Sequence, residues 1–288
     1  MTISFDLDGP PVTPRDAATV VLVREGADGA GIELFFVKRR ADVRFMGGAY
    51  VFPGGKLDPE DSDSALAGDL DAEACRAILQ EPDNDRARGL FVAAARECLE
   101  ESGVLLSTSA VADETVANIR HALDVEKKPF APLLEAHNIK LALSALRPLA
   151  RWITPKAETR RFDARFFIAR APKGTVATHD TRETVASLWL APAEALARAE
   201  RREIVLVPPT YRTVQALSLA RTVDEAMALS PARLDPQEPV VTTSDKGFVI
   251  VLPDDPSHPE RERFVRSSDS APLVTRFVYD DGLWTAVR

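Results

Sequence analysis

Three glutamates and one arginine lie within six residues, in the stretch RECLEE at positions 96–101. An α-helix turns about 100° per residue, so Glu97, Glu100 and Glu101 would share one helix face. Like charges at this spacing repel each other, so the cluster does not serve helix stability. A divalent cation would reverse the sign of that interaction, because hard cations take carboxylate oxygens as ligands. The pattern therefore predicts either a metal site or a solvated acidic face.

The segment that carries these residues is predicted to be a helix over 86–102. Phe91, Cys98 and Leu99 gather on roughly the opposite side from the glutamates, which is the pattern of an amphipathic helix packed on a core. The preceding residues EPDNDR can cap its start, and Gly103 supplies a C-terminal stop. We therefore expect a core-packed helix that presents its carboxylates on the outer face.

A glycine turn precedes this helix in the chain. Pro53, Gly54 and Gly55 break a short predicted strand over 49–52. Proline and glycine end strands, and glycine allows backbone to approach a ligand closely. The sequence therefore predicts that backbone comes close to a ligand at this turn.

The surrounding elements mix strands and helices. AATVVLVRE and IELFFVKRR, on either side of a Gly/Asp turn, predict a β-hairpin. Further helices are predicted at 64–80, 113–123, 130–137, 192–202, 211–220 and 223–229. Further strands are predicted at 149–153, 161–169, 185–190, 248–252, 273–279 and 283–287. The pattern indicates an α/β (α+β) protein without internal repeats.

Composition excludes several classes of protein. The 288 residues carry a formal net charge of -8, with a pI near 5.2, which argues against a broad nucleic-acid or anionic-membrane surface. Two cysteines are too few for a disulfide framework, so a reducing compartment fits best. The start of the chain lacks the apolar core of a secretory signal, and no apolar stretch is long enough to span a bilayer. We expect a cytoplasmic protein that acts without a membrane or nucleic-acid partner.

The glycine turn and the acidic helix together resemble the Nudix box, G-x5-E-x7-R-E-U-x-E-E-x-G-U, where U is aliphatic. Its second half matches at Arg96, Glu97, Glu100, Glu101, Gly103 and Val104, with Cys98 at the first U position. Its first half matches at Gly55. Asp61 stands where the family has glutamate, and 34 residues rather than seven separate it from Arg96, so 62–88 is predicted to be an insertion of 27 residues.

The insertion narrows the resemblance. Together with FMGGAYVFPGGKLD, WITPKAETRRFDARFFIA and VPPT, it is similar to the branch of Nudix hydrolases that includes peroxisomal coenzyme A diphosphatases and their bacterial relatives. This similarity covers about 17–210. It implies a Nudix α/β/α sandwich with a mixed sheet over 15–207, after a leader at 1–14. Helical segments at 62–88 and 113–137 and a C-terminal extension over 208–288 would pack on it.

The resemblance also implies a reaction and roles for residues. Nudix hydrolases cleave the pyrophosphate of a nucleoside diphosphate linked to another group, by attack of a metal-activated water. The implied ligands of Mg²⁺ or Mn²⁺ are Glu97, Glu100, Glu101 and the Gly55 carbonyl. Arg96 would orient the box carboxylates. The general base is expected to be Glu183, with Asp180 and Glu158 as alternatives, so the predicted catalytic residues are Arg96, Glu97, Glu101 and Glu183.

The implied substrate is coenzyme A or an acyl-coenzyme A. The predicted substrate-binding residues are Arg39, Arg44, Phe52, Gly54, Gly55 and Arg161. Arg160 and Arg165 belong to the same basic cluster as Arg161. Phe45 and Trp152 are further aromatic candidates for stacking on an adenine, although core packing is the better explanation for each aromatic residue. Two other functions stay open: hydrolysis of ADP-ribose, NAD(H) or another dinucleotide, and a non-catalytic binding or regulatory role. A homodimer is also possible.

Overall fold

The computed structural model describes residues 5–7, 9–27, 29, 31–42, 46–63, 66–174, 176–180, 182–245, 247–264, 273–280 and 283–287. The described strands are β1 (Arg15–Glu25), β2 (Ile32–Arg39), β3 (Tyr50–Val51), β4 (Gly54–Lys56), β5 (Arg147–Ile153), β6 (Phe162–Arg170), β7 (Thr184–Leu190), β8 (Pro236–Gln237), β9 (Val240–Ser244), β10 (Gly247–Val251), β11 (Arg276–Asp280) and β12 (Leu283–Val287). The described α-helices are α1 (Ala72–Leu79), α2 (Asn84–Ser102), α3 (Asp113–Asp124), α4 (Phe130–Ala136), α5 (Pro192–Glu200), α6 (Pro208–Leu217), α7 (Val223–Ala228) and α8 (Arg261–Phe264).

The long helix α2 has well-defined ends. The Asp83 side chain accepts a hydrogen bond from the Arg86 backbone N–H at 2.7 Å, which satisfies one of the free donors of the first turn. At the other end Gly103 adopts a left-handed conformation with φ 71°, and its N–H donates to the Leu99 carbonyl at 2.8 Å. Both caps follow from residue types that the sequence shows.

The larger sheet is mixed. Its strands run in the order β3-β2-β1-β6-β5-β8, with β4 also paired to β1 and β7 to β2. β1 is parallel to β6 and antiparallel to β2 and β4, and β5 is antiparallel to β6. The pairing of β4 with β1 fixes the glycine turn against the middle of the sheet, where Ala18 stands opposite Gly55.

The two faces of this sheet bury two different cores. Along β1, Ala18, Val20 and Leu22 enter one core, whereas Val21 and Val23 enter the other. This is the period-two alternation of a strand covered on both faces. Helices α1 to α4 cover the first face, and α5 to α7 cover the second. The predicted α/β class, with a mixed sheet between helices, is therefore confirmed.

A smaller antiparallel sheet, in the order β12-β11-β10-β9, belongs to the C-terminal part of the chain. Ile250 and Phe277 from this sheet lie in the same core as Val214 and Leu217 of α6 and Phe36 of β2. The C-terminal part thus packs on the larger sheet. The boundaries at 14 and 207 stay a prediction.

Several elements differ from their predicted bounds. The helix predicted over 64–80 is confined to α1, because the Asp71 side chain accepts the Ala74 N–H and so begins the helix there. Residues 64 and 65 lie outside the described residues. The strand predicted over 273–279 begins at Arg276, and β8, β9 and α8 were not predicted. Within the described part of the chain, no helix is both long and apolar enough to cross a membrane.

Candidate active site

The glycine turn and the acidic helix meet, as the resemblance to the Nudix box implies. The Gly54 N–H donates a hydrogen bond of 2.9 Å to Oε2 of Glu101. A Cβ atom built on Gly55 would overlap the Glu97 carboxylate, so only glycine permits this approach. Two segments more than 40 residues apart in sequence therefore form one site.

Arg96 connects the turn and the carboxylates. Its Nε and Nη2 donate to the two oxygens of Asp61 at 2.8 and 2.9 Å, and its Nη1 donates to Glu97 at 2.9 Å and to Glu100 at 3.1 Å. Nη2 also donates to the Lys56 carbonyl at 3.2 Å. This is the geometry of a residue that holds carboxylates in place. Its predicted orienting role stays a prediction that these contacts support.

Asp61 stands at the position where the Nudix box has glutamate, and it is one of the carboxylates that Arg96 contacts. Its side chain is buried, and besides pairing with Arg96 its Oδ2 accepts the Asp58 N–H at 2.8 Å. The Asp61 side chain thus caps the short 3-10 turn Pro59–Ser62 and connects this turn to Arg96. The shorter aspartate side chain is sufficient for this contact because the turn brings its backbone close to the arginine.

The carboxylates are not a solvated face. Glu97 and Glu101 are only 9% and 5% exposed, so for these two residues the alternative of a solvated acidic face is wrong. Burial raises the pKa of Glu97 to about 7, although Arg96 acts in the opposite direction. Burial and the charge of Glu97 hold the pKa of Glu101 well above its usual value. Burial also raises the pKa of Glu100.

This pair of carboxylates fits a divalent cation chemically. Two buried, mutually repelling groups with hard oxygen atoms need a positive charge close by, and Mg²⁺ and Mn²⁺ take such ligands. Among the described residues, no three His, Cys, Asp or Glu side chains converge tightly enough to form a ligand cluster in this conformation. Arg96 Nη1 holds oxygens of both Glu97 and Glu100. The ligand role of the Gly55 carbonyl stays a prediction.

A cleft of about 1170 Å³ opens onto these residues. It is larger than the typical range of about 300–1,000 Å³ for small-molecule sites, so it has room for a dinucleotide-sized substrate. Arg39, Phe52, Gly54, Gly55 and Glu183 all line it. Of the predicted substrate-binding residues, Arg44 lies outside the described residues, and so does the aromatic candidate Phe45.

Arg39 and Phe52 differ in what they offer to the cleft. The Arg39 Nε is buried and has no hydrogen-bond partner among the described residues, and its Nη2 lies 3.9 Å from Oε2 of Glu183. Phe52 is 3% exposed and stacks on Phe36 with ring centres 5.0 Å apart. The exposed part of the Arg39 side chain lines the cleft and is able to contact a phosphate, although its Nε is closed to solvent, whereas Phe52 serves mainly to pack the core behind the cleft.

The structure places Arg161 away from the predicted substrate site. Its guanidinium is buried and donates to the Thr154 carbonyl at 2.9 Å, the Val12 carbonyl at 2.7 Å and Glu238 Oε1 at 2.6 Å. An arginine held by three acceptors is not available to a phosphate, so Arg161 joins the first residues of the chain to the C-terminal part. Its neighbour Arg160 lines the cleft instead.

The candidates for the general base occupy three different environments. Glu183 is exposed at the cleft, directly before β7. Asp180 is buried, and its Oδ1 accepts the Glu183 N–H at 2.6 Å and the Arg182 N–H at 2.7 Å, so it shapes the loop that carries Glu183. Glu158 lines the cleft, and burial raises its pKa to about 7. All three line the cleft, but the Asp180 carboxylate is occupied by the backbone of its own loop, so Glu183 and Glu158 are the two candidates that stay available to a water molecule.

The pKa of Glu158 predicts a pH-dependent stability. A carboxyl group with a raised pKa favours the folded state below about pH 4.5, and this contribution is lost as the pH rises through about 7. Glutamine cannot ionise, so we expect Glu158→Gln to melt a few degrees above the wild type at pH 8 and to match it at pH 4. Thermal scans at both pH values measure this. The same substitution at the exposed Glu114 is the control, and an equal difference at both pH values would contradict the assignment.

Some cleft residues were not predicted. Asp124, Lys127 and Arg182 line the cleft from α3, the turn after it and the loop before β7, and Ile250 and Trp284 line it from the smaller sheet. No local sequence pattern marks these residues, because each reaches the cleft only through the packing of distant segments.

Comparisons with known proteins agree with the geometry of the site. The family described as the NUDT19 Nudix domain matches residues 81–217. The solved structure of a Nudix hydrolase from Alicyclobacillus acidocaldarius is similar with 30% identity and a TM-score of 0.60, covering 75% of this chain and 96% of that one.

Two relatives carry the same descriptive name. The acyl-coenzyme A diphosphatase NUDT19 of Gallus gallus is 26% identical over 85% of this chain and 80% of its own length. The protein of that name from Homo sapiens is 24% identical over 88% of this chain and 79% of its own length. These similarities confirm the resemblance that the box residues carry: this chain belongs to the Nudix hydrolase family.

Proposed function

We propose that this chain hydrolyses the pyrophosphate of coenzyme A or an acyl-coenzyme A, with Mg²⁺ or Mn²⁺ as the cofactor. The products would be adenosine 3′,5′-bisphosphate and 4′-phosphopantetheine or its acyl derivative. One observation carries the proposal: the buried pair Glu97 and Glu101 against the glycine turn. It occurs in a chain that is similar over most of its length to proteins named acyl-coenzyme A diphosphatases.

The reaction must overcome negative charge on both partners. A bound divalent ion would supply charge neutralisation of the phosphate oxygens and a lower pKa for the attacking water. Arg96 keeps Glu97 and Glu100 in position, and the Gly54 N–H does the same for Glu101. Arg39, Lys127 and Arg182 line the cleft as cations for the phosphates. The water oxygen bonds to one phosphorus as the bridging P–O bond breaks, and each product leaves as a phosphate monoester.

Glu183 is the proposed base that takes the proton from this water. It faces the cleft, its side chain is exposed, and the turn organised by Asp180 fixes its backbone. We expect Glu183→Gln to lower kcat about 100-fold with little change in KM or in melting temperature, because general-base catalysis contributes about that much. Steady-state kinetics measure this. If kcat were unchanged for Glu183→Gln but fell for Glu158→Gln, the role would belong to Glu158.

One panel of four substrates distinguishes the proposed function from the two alternative functions. Coenzyme A, acetyl-coenzyme A, ADP-ribose and NADH are incubated at matched concentration with Mg²⁺ or Mn²⁺, and the products are resolved by mass. The proposal expects turnover of one or both coenzyme A compounds well above that of the other two. Preferred cleavage of ADP-ribose or NADH would show that the substrate is a dinucleotide of that kind rather than a coenzyme A compound. Absence of turnover of all four would favour a non-catalytic role.

The cytoplasmic location, the absence of a nucleic-acid partner and the possible homodimer remain proposals. The net charge of -8 supports the second of them.

A further inference from the structure

The C-terminal end of α2, directly after the paired carboxylates, is capped by an arginine from α3. The Arg120 Nε donates to the Glu100 carbonyl at 2.9 Å. This carbonyl lies in the last turn of α2, where carbonyl groups have no partner within the helix. The cation also faces the negative end of the helix dipole. Arg120 therefore fixes the end of the helix that carries the acidic site.

The same guanidinium contacts a second segment, the loop before β7. Its Nη1 donates to the Thr178 hydroxyl at 3.0 Å, and its Nη2 donates to the Thr178 carbonyl at 2.9 Å. The Thr178 N–H in turn donates to the Ser102 carbonyl at 2.9 Å, which is also in the last turn of α2. Arg120, Thr178 and the end of α2 thus form a closed ring of hydrogen bonds among three separate segments.

Gly103 leaves the space that this ring needs. A Cβ atom built on Gly103 would lie 2.9 Å from Nη1 of Arg120 and 3.6 Å from Oγ1 of Thr178. Glycine at this position therefore serves two purposes. It adopts the left-handed turn that ends α2, and it admits the guanidinium.

The loop that Arg120 holds leads to the proposed base. Two residues after Thr178, the Asp180 carboxylate accepts the N–H groups of Arg182 at 2.7 Å and Glu183 at 2.6 Å. The part of the loop before Asp180 buries little surface, since Val176 is 80% exposed and Thr178 is exposed as well. Hydrogen bonds to Arg120 and α2, rather than burial, therefore hold this part of the loop in place.

We propose that Arg120 is a positioning residue, which holds the loop of Glu183 at a fixed distance from the paired carboxylates of α2. This inference rests on the proposed function and gives α3, which lies outside the box, a role in the reaction. A general base must lie within hydrogen-bond reach of the attacking water, so its placement decides its efficiency. Arg120 is not among the described residues that line the cleft, so it acts through Glu183 and not on the substrate.

A double-mutant cycle with Glu183 tests the proposal. Arg120→Met removes all three hydrogen bonds of the guanidinium and keeps a long unbranched side chain. We expect kcat to fall at least about tenfold, because a displaced base loses efficiency. In the Glu183→Gln background the same change should lower kcat by less than about twofold, since the group that Arg120 positions is already lost. Steady-state kinetics use whichever of the four substrates the wild type cleaves fastest.

Arg88→Met is the matched control for a loss of stability. Arg88 of α2 is also a half-buried arginine, and it donates to the backbone carbonyls of Asp63 and Leu66 in the box insertion. We expect Arg88→Met to lower the melting temperature about as much as Arg120→Met does and to leave kcat within about twofold of the wild type. A general loss of stability would lower kcat in both variants.

Amide hydrogen exchange of the peptide that carries Thr178 and Glu183 gives a readout without turnover. We expect exchange at least about tenfold faster in Arg120→Met than in the wild type, and exchange equal to the wild type in Arg88→Met. If Arg120→Met does not fold, Thr178→Val takes its place, because it removes only the hydroxyl acceptor at an exposed position. Its kcat should fall about threefold, the effect of one hydrogen bond, and by less in the Glu183→Gln background.

Three results would overturn the inference. One is a fall of kcat by the same factor in both backgrounds, which would show that Arg120 acts independently of Glu183. The others are an unchanged kcat and an unchanged amide exchange in Arg120→Met. If the wild type cleaved none of the four substrates, the proposed function would fall instead, and the amide exchange would still decide whether Arg120 holds the loop.

Discussion

Replacing Glu101 by glutamine is expected to lower kcat by about 1000-fold, because a metal ligand supports several kcal/mol of transition-state stabilisation. Glutamine keeps the size of the side chain, and its amide oxygen can still accept the Gly54 N–H. The change therefore removes the charge and leaves the contact between the turn and the helix. Steady-state kinetics with saturating Mg²⁺ measure the loss.

The same substitution is expected to stabilise the protein when metal is chelated. Burial and the neighbouring Glu97 make ionised Glu101 costly in the folded state, and an uncharged amide relieves this cost. A rise in melting temperature together with a loss of activity is the mark of a residue kept for function at the expense of stability. Glu114→Gln, on the exposed side of α3, should change neither quantity. Full activity in Glu101→Gln would contradict the metal-ligand role.

Replacing Glu81 by alanine is expected to cost about 3 kcal/mol of unfolding free energy, as removal of one partner from a buried ion pair usually does. Glu81 is 5% exposed and pairs with Arg165, which is fully buried, and with Arg86 at 2.8 Å. Arg86 in turn contacts Asp16 on β1 at 2.7 Å. Without Glu81, the Arg165 guanidinium keeps Asp163 at 2.7 Å and Asp16 at 3.5 Å but loses the carboxylate that its Nη2 contacts.

Chemical denaturation of the full chain measures this loss. The matched control is Glu194→Ala, which removes the exposed pair with Arg198 and should cost no more than about 0.5 kcal/mol. A loss below about 1 kcal/mol for Glu81→Ala would show that the pair does not anchor the segment before α2 to the sheet. Glu81 lies inside the predicted box insertion, so the result also tests whether that insertion is tied to the core.

The residues of the box were the most predictable part of the site. The spacing of Glu97, Glu100 and Glu101 fixes a shared helix face by local geometry alone, and Gly54 and Gly55 mark a turn that approaches other groups closely. Their meeting across 47 residues was predicted through the family resemblance, because local geometry does not bring distant segments together. The fold class followed from alternating patterns that each strand displays within a few residues.

Arginine roles were less predictable. Arg161 and Arg165 stand in one basic cluster in the sequence, yet both are buried in ion pairs with acids 77 and 84 residues away. Whether an arginine binds a phosphate or a buried carboxylate depends on which distant acid the fold brings to it, and composition does not reveal this. The burial of Glu97 and Glu101 was missed for the same reason, since the glycine turn that covers them comes from a different part of the chain.

The contribution of the C-terminal extension could not be read from local patterns either. Trp284 alternates with exposed residues as any strand residue does, and only the packing of the smaller sheet places it at the cleft. Lys127 and Arg182 similarly reach the cleft from separate loops. Residues that shape a substrate cleft through non-local packing carry no spacing signal of their own.

The central claim is that the glycine turn and the paired carboxylates of α2 bind a divalent cation. Electron paramagnetic resonance of Mn²⁺, titrated into the full-length wild type and into a folded Glu97→Gln, Glu101→Gln double variant, tests it directly. We expect saturable binding by the wild type and its loss in the double variant. Equal Mn²⁺ binding by both proteins would contradict the claim.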